Sequence, residues 1–438
     1  MYSNYPDIND QEDLRQLKKV IWIYLLLLIF EAALRKWFLP FLSAPLLVIR
    51  DPIAMWLIYK VWSRGMMPSS KLLNGMVLIG LTGILTAVIF GHGNLIVAIF
   101  GARVLLIQFP MIFVIARVLE KEDVIAMGRF IAWISIPMTA LIILQFYSPQ
   151  SAFVNRGVGG MESSGFSGAL GYFRPSGTFS FTNGTHLFFG LAASYLFYFW
   201  FTPGQINRFL LYASTAAVLV AIPFSISRSL AFQVAICLAF ALFAVARRPE
   251  NLFRVIIGGI IVAVMTIVLV NLDFLQNSIA AFTVRFSTAT DIEGGLRGTI
   301  IDRYFGKTAT AIVTALEQPF FGYGMGTGTN VGSALLTGSR KFLIAEEEWA
   351  RLIGELGAFL GSSVIFIRLA LCFKMTLFSY YELKAGNLLP WMLLGYVLTN
   401  IPKGQWAQPT GLGFSVLAGG LLIAGLKRSK QELKTDAR

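Results

Sequence analysis

The sequence predicts an all-α polytopic membrane protein, and two observations carry that expectation. Charged residues make up 13% of the 438 residues and hydrophobic ones 56%, whereas soluble domains carry about 25% charge. Apolar runs of about 20 residues, enough at 1.5 Å per residue to cross roughly 30 Å of hydrocarbon, recur along nearly the whole chain. The chain therefore reads as one integral-membrane domain over residues 1–438, with no separate soluble domain of ordinary size.

About twelve transmembrane helices are expected, near residues 20–38, 44–60, 73–90, 95–116, 127–147, 185–201, 209–225, 229–246, 254–271, 350–372, 387–402 and 410–426. Ahead of the first, a hydrophilic lead carrying Arg15, Lys18 and Lys19 reads as a polar entry to a spanning helix rather than a cleavable signal. Orientation follows from the basic residues. With the N-terminus inside, the inner segments collect Lys18, Lys60, Arg64, Lys71, Arg117, Lys121, Arg208, Arg247, Lys374, Lys384 and Lys427, which places both termini in the cytoplasm. The net charge of +13 is then largely a topology signal, so nucleic acid is not expected as a partner and membrane lipids are.

Two outer loops are long: residues 148–184 and 272–349. The first, with RGVGGMESSGFSGALGYFRPSGTFSFTNG, has the Gly, Ser and Phe content of an irregular loop lying over a bundle. In the second, Ile300, Ile301, Tyr304, Phe305, Ile312, Ala315 and Leu316 form a rough helical stripe ended by Pro319 and Gly322, predicting an interfacial helix. Cys237 and Cys372 fall inside apolar spans and imply no disulfide framework. His92 and His186 are far apart in sequence, have no metal-ligand spacing, and give no reason to expect a metal or other cofactor. His92 reads as a solvated turn residue.

The informative charges are arginines on the outer face, against the usual bias. Arg174 lies in RPSGTFSFTNG, Arg228 in SISRS and Arg303 in the second long loop, and Arg103 sits toward the outer half of its span. Arginine presents a fixed fork of donors suited to phosphate and keeps its proton, so several around one cavity make a pyrophosphate clamp. The competing reading is snorkelling to lipid headgroups. Arg228 stands out because SISRS is the only polar break between two apolar runs. A carboxylate group, Glu346 and Glu347 with Glu348, opens the tenth span. One of them could accept a proton, yet acidic residues also suit a helix N-terminus, and Glu347 with Arg351 is an i,i+4 pair. Glu355, deeper in the same helix, should face the interior with a partner such as Arg351. Glu31 and Arg35 read as a structural pair, and Arg368 as snorkelling at the inner end of its helix. The glycines of GYGMGTG lack dinucleotide-binding spacing and the Lys-Ser/Thr ending of a phosphate loop.

The order RPSGTFSFTNG, SISRS, an arginine before QPFFGYGMG and then EEEWARLIGELGAFLG resembles the O-antigen ligase and O-antigen polymerase superfamily over roughly residues 90–365. The resemblance implies a metal-independent glycosyltransferase at the periplasmic membrane face, without a cofactor. Its donor would be an undecaprenyl-pyrophosphate-linked glycan, and its acceptor a lipid A core sugar or a second lipid-linked repeat unit. Arg174, Arg228 and Arg303 would match the arginines that bind the donor pyrophosphate; from its own position Arg103 could add to that clamp, with Arg351 and Glu355 in support. The pattern departs from the ligases, which carry His-Asn where this chain has Glu346 and Glu347, and Lys307 replaces an aromatic residue. That favours an O-antigen or exopolysaccharide polymerase over a lipopolysaccharide core ligase, with Glu346 or Glu347 as the base. A multi-span transporter or flippase of lipid-linked sugars or other anions, and a scaffold of envelope assembly, are the rival classes.

Overall fold

The computed structural model describes residues 11–163, 165–247, 252–292, 313, 317–338, 344–345 and 347–427. Among these, helix is the only regular structure beyond one isolated bridge between Ser167 and Phe173. The N-terminal half comprises α1 (Gln11–Ala33), α2 (Ser43–Leu47), α3 (Arg50–Ser63), α4 (Lys71–Ile89), α5 (Leu95–Arg103), α6 (Phe109–Val118) and α7 (Lys121–Tyr147). After the first long loop come α8 (Thr182–Phe201), α9 (Arg208–Phe224), α10 (Arg228–Arg247), α11 (Leu252–Val270) and α12 (Asp273–Ile292). The chain ends with α13 (Asn330–Thr337), α14 (Glu348–Ala385), α15 (Leu389–Asn400) and α16 (Pro409–Gly425).

Each of the twelve expected spans falls on helix, because apolar stretches in hydrocarbon must satisfy every backbone N–H and C=O internally. Among the described residues, six helices are long and apolar enough to cross a membrane: Pro40–Ser63, Lys71–Ile89, Leu95–Val118, Lys121–Tyr147, Arg228–Arg247 and Glu348–Ala385. The bent pair Ile256–Val270 and Asp273–Thr288 makes a seventh if taken as one span. Length and composition thus support fewer crossings than the apolar runs suggest. α1 carries Lys18, Lys19 and Glu31, and α15, with 12 residues, is only about 18 Å long at the helical rise.

The two ends of the bundle differ in chemistry. At one end Arg64 pairs with Asp13, Lys18 pairs with Asp123 at 2.6 Å, and Lys427 donates to the Arg117 and Leu119 carbonyls that end α6. The start of α1 and the end of α16 therefore lie together, among basic residues. At the other end the loop 148–181 is pinned down. Lys36, fully buried, donates to Ser176 Oγ and to the Gly177 and Phe179 carbonyls, while Gln145 accepts from Gly177 N and donates to Val154 O. A buried ammonium with three oxygen partners is a strong local constraint, so a glycine-rich loop becomes a fixed platform.

Two elements differ from the sequence reading. The segment after α11 is helix at once: α12 bends 98° from it. Its buried stripe, Leu275, Ser278 and Ala281, packs over the ends of α9 and α10, with Phe274 stacked on Phe224 and Phe286 tilted against Phe232. The helix as a whole is only weakly apolar, with Asp273, Gln276, Asn277 and Arg285 beside the stripe, and this hid it. The expected stripe from Ile300 to Leu316 lies outside the described residues.

α14 is a hairpin rather than a straight span. Gly357 adopts φ 79° and ψ 173°, a conformation open essentially to glycine alone. The arm Glu348–Leu356 folds back along the arm that follows, with Gly361 against the backbone of Leu352 and Ile353. The carbonyls of Gly354 and Glu355, freed at this break, accept instead from Tyr323 N and Gly324 N. The glycines of GYGMGTG therefore serve close backbone contact. His92 joins the same contact: its Nδ1 accepts from Asn94 N, so Nε2 is the protonated nitrogen and donates to Met325 O at 3.0 Å. It is a latch, not a solvated turn residue.

Candidate functional site

Arg174, Arg228 and a third arginine, Arg285, converge at the end of the bundle that carries the pinned loop. Arg174 is positioned by its backbone, with its N–H donating to Phe166 O, and by Thr185, whose hydroxyl donates to Pro175 O at 3.3 Å. Arg228 is the first residue of α10, delivered by the tight turn Ser225–Ile226–Ser227, where Ile226 is fully buried and holds φ 45°. Arg285 follows the buried stripe of α12 and donates from Nη1 to Gly168 O at 3.2 Å. Gly168 sits where the three segments meet: a Cβ there would lie 2.6 Å from Tyr172 O and 2.8 Å from Ile226 Cδ1.

Arg174 is the unusual member. Its Nε is buried without a hydrogen-bond partner, and the charges acting on it from the described residues, Arg285 and Arg228, are both positive. Burial first, then these two like charges, pull its pKa down to about 10. It is still a cation at neutral pH, held in surroundings that favour an added anion.

The other arginines of the sequence reading lie in different clusters. Arg103 binds Asp51 at 2.5 Å and Asp51 also accepts from Gln108, while Glu31 pairs with Arg35 at 2.9 Å and with Arg50 at 3.4 Å. The Glu31–Arg35 pair is structural, as its spacing suggests; Arg103 is tied to a carboxylate and does not join Arg174. Arg303 and Glu346 lie outside the described residues.

The carboxylate segment at α14 is mostly architecture. Glu348 is buried and accepts from Arg351 and from Trp406 N, and pairs with Arg368 at 2.7 Å. Arg351 also binds Glu355 at 2.6 Å, whose second oxygen accepts from Gly328 N. Arg351 thus pairs with Glu348 and Glu355, while Glu347 caps the helix, its Oε2 accepting from Trp349 N and Ala350 N at 2.9 and 3.0 Å. Arg368 does not snorkel: it is fully buried, stacks 3.9 Å over the Trp406 ring and donates to Ile401 O and Gly404 O. The fold-back at Gly357 carries it to Glu348.

These bonds hold the segment 401–408 inside the bundle, where it joins the carboxylate side to the arginine side. Lys403 feels the charge of Glu347, which opposes the lowering of its pKa by burial. Gln408 accepts from Asn183 Nδ2 at 3.4 Å, and Asn183 Oδ1 lies 3.0 Å from His186 Nδ1. The Arg174 charge acts on His186 in turn. The sequence reading missed Arg285, Asn183, His186 and Lys403 as neighbours of one site; the asparagine and histidine, three residues apart at the start of an apolar helix, were the available signal.

Chemically, the arrangement offers a cationic, partly buried rim for a phosphate-bearing anion, bordered by hydrogen-bonding amides and an imidazole. Among the described residues no group of three or more His, Cys, Asp or Glu side chains could hold a metal ion. Comparisons with protein-family models, with characterised proteins and with solved structures find no match to this chain.

Proposed function

We propose that this protein transfers or polymerises glycan from an undecaprenyl-pyrophosphate-linked donor at the periplasmic face of a bacterial inner membrane. The observation that carries this reading is Arg174, a guanidinium with a buried unpartnered Nε in the field of two further arginines. Burial and these two like charges lower the Arg174 pKa, so an added anion of two or more charges stabilises its charged form, and a pyrophosphate diester is of that kind. The arginines would stabilise charge growing on the departing pyrophosphate, the electrostatic contribution that is usually largest in such reactions. The basic residues gathered at the opposite end support a cytoplasmic location for both termini. A polysaccharide polymerase is favoured over a core ligase, since Glu346 and Glu347 replace the ligases' His-Asn.

The test is reconstitution. Purified protein in liposomes, given an undecaprenyl-pyrophosphate-linked oligosaccharide, is expected to release undecaprenyl pyrophosphate with formation of a lengthened or transferred glycan. Arg174→Ala should lower that release by at least tenfold while the protein remains monodisperse. Absence of release by the wild-type protein, with movement of the intact donor between leaflets, would instead establish a flippase.

A further inference from the structure

We infer that His186 is the proton acceptor for the attacking sugar hydroxyl, an assignment that rests on the glycan-transfer reading above. The hydrogen bonds fix its chemistry without reference to substrate. Asn183 Nδ2 is directed to Gln408 Oε1, so the amide oxygen is the atom that faces the imidazole. An oxygen there can only accept, and His186 Nδ1 must therefore carry the hydrogen across the 3.0 Å contact. That tautomer leaves Nε2 with its lone pair free, and Nε2 makes no hydrogen bond to any described residue. An oriented imidazole with one nitrogen anchored and the other open is the arrangement a general base requires.

Position agrees with this role. His186 is half-buried at the fifth position of α8, and the bond of the preceding Thr185 to Pro175 O brings the start of that helix beside Arg174. The arginine's charge acts on the ring, so a pyrophosphate held by Arg174 would lie in the neighbourhood of the imidazole. Glu347 is less well placed: its Oε2 is already occupied by two N–H donors of the helix end it caps.

The step balances. The acceptor hydroxyl gives its proton to His186 Nε2 as its oxygen bonds to the anomeric carbon of the donor. The bond from that carbon to the pyrophosphate oxygen breaks, and its electron pair leaves with undecaprenyl pyrophosphate at the arginines. The imidazolium then returns its proton to water.

The experiment compares two quantities in the reconstituted system: turnover, and affinity for undecaprenyl pyrophosphate itself. His186→Ala is expected to lower turnover by about 10²- to 10⁴-fold, the range for loss of a general base, with affinity for undecaprenyl pyrophosphate within twofold of wild type and partial recovery on adding imidazole. His186→Gln, which can keep a contact to Asn183, should show the same loss and covers the case in which the alanine variant fails to fold. Turnover of either variant within threefold of wild type, or a loss matched by an equal loss of lipid affinity, overturns the assignment of His186 alone. A wild-type protein that releases no undecaprenyl pyrophosphate overturns the glycan-transfer reading and this assignment with it.

Discussion

Arg368 Nη1 lies 2.7 Å from Glu348 Oε1, although the two residues are twenty positions apart in one continuous apolar segment. In a straight helix they would be about 30 Å apart. The contact exists because the chain reverses at Gly357, and it closes a buried network of two carboxylates and two guanidiniums. Breaking one side of such a pair leaves an uncompensated buried charge, at a cost of about 3–5 kcal/mol. Arg368→Met and Glu348→Gln are therefore each expected to lower the thermal midpoint of the detergent-purified protein sharply. The double variant should recover a large part of that loss, which differential scanning fluorimetry on the three proteins would measure.

The reversal itself gives a second prediction. A Cβ on Gly357 would sit 1.9 Å from Phe320 O, and the backbone there is one that other residues scarcely adopt. Gly357→Ala is expected to abolish accumulation of folded protein in the membrane. Gly338→Ala, at a helix end with φ 71° and nothing within 4 Å of the added Cβ, should cost only about 1 kcal/mol. Size-exclusion profiles of the two variants would separate these outcomes.

Glu347 is a cap first. Replacing a capping side chain by alanine costs about 0.5–2 kcal/mol, so Glu347→Ala should be measurably less stable than wild type. Glu347→Gln keeps an acceptor oxygen and should retain both stability and most of the turnover. A Glu347→Gln protein that is folded but loses turnover a hundredfold would return the base to the carboxylate segment.

Arg174 and Arg103 should separate although the sequence offers both as candidates for one clamp. Arg174→Lys keeps the charge but loses the planar fork, and is expected to weaken affinity for undecaprenyl pyrophosphate about tenfold without loss of stability. Arg103→Lys, in its bond to Asp51, should leave that affinity unchanged. Isothermal titration of undecaprenyl pyrophosphate into each purified variant reads both effects.

Sidedness can be read by labelling. Met161 lies in the exposed part of the first long loop and Ser63 at the exposed end of α3. With a membrane-impermeant maleimide on intact spheroplasts, Met161→Cys should label and Ser63→Cys should not; the native Cys237 and Cys372 are buried. The opposite pattern would invert the orientation.

Much of this protein is determined by sequence alone, and for a physical reason: in hydrocarbon the backbone must bond to itself, so apolar runs become helices wherever they occur. The positions of the helices, the long first loop and the choice of Arg174 and Arg228 as candidates follow from that rule and from the rarity of charge. The partner of each charge does not. Arg103 and Arg174 are alike as letters, but one meets Asp51 and the other meets arginines, because packing brings together residues far apart in sequence. Only the tertiary structure sends Arg368 back to Glu348, carries Arg285 on a helix too weakly apolar to stand out, and sets Asn183 between Gln408 and His186. Hydropathy reports the solvent of a segment; a site depends on directional bonds between segments, and those form only once the bundle has closed.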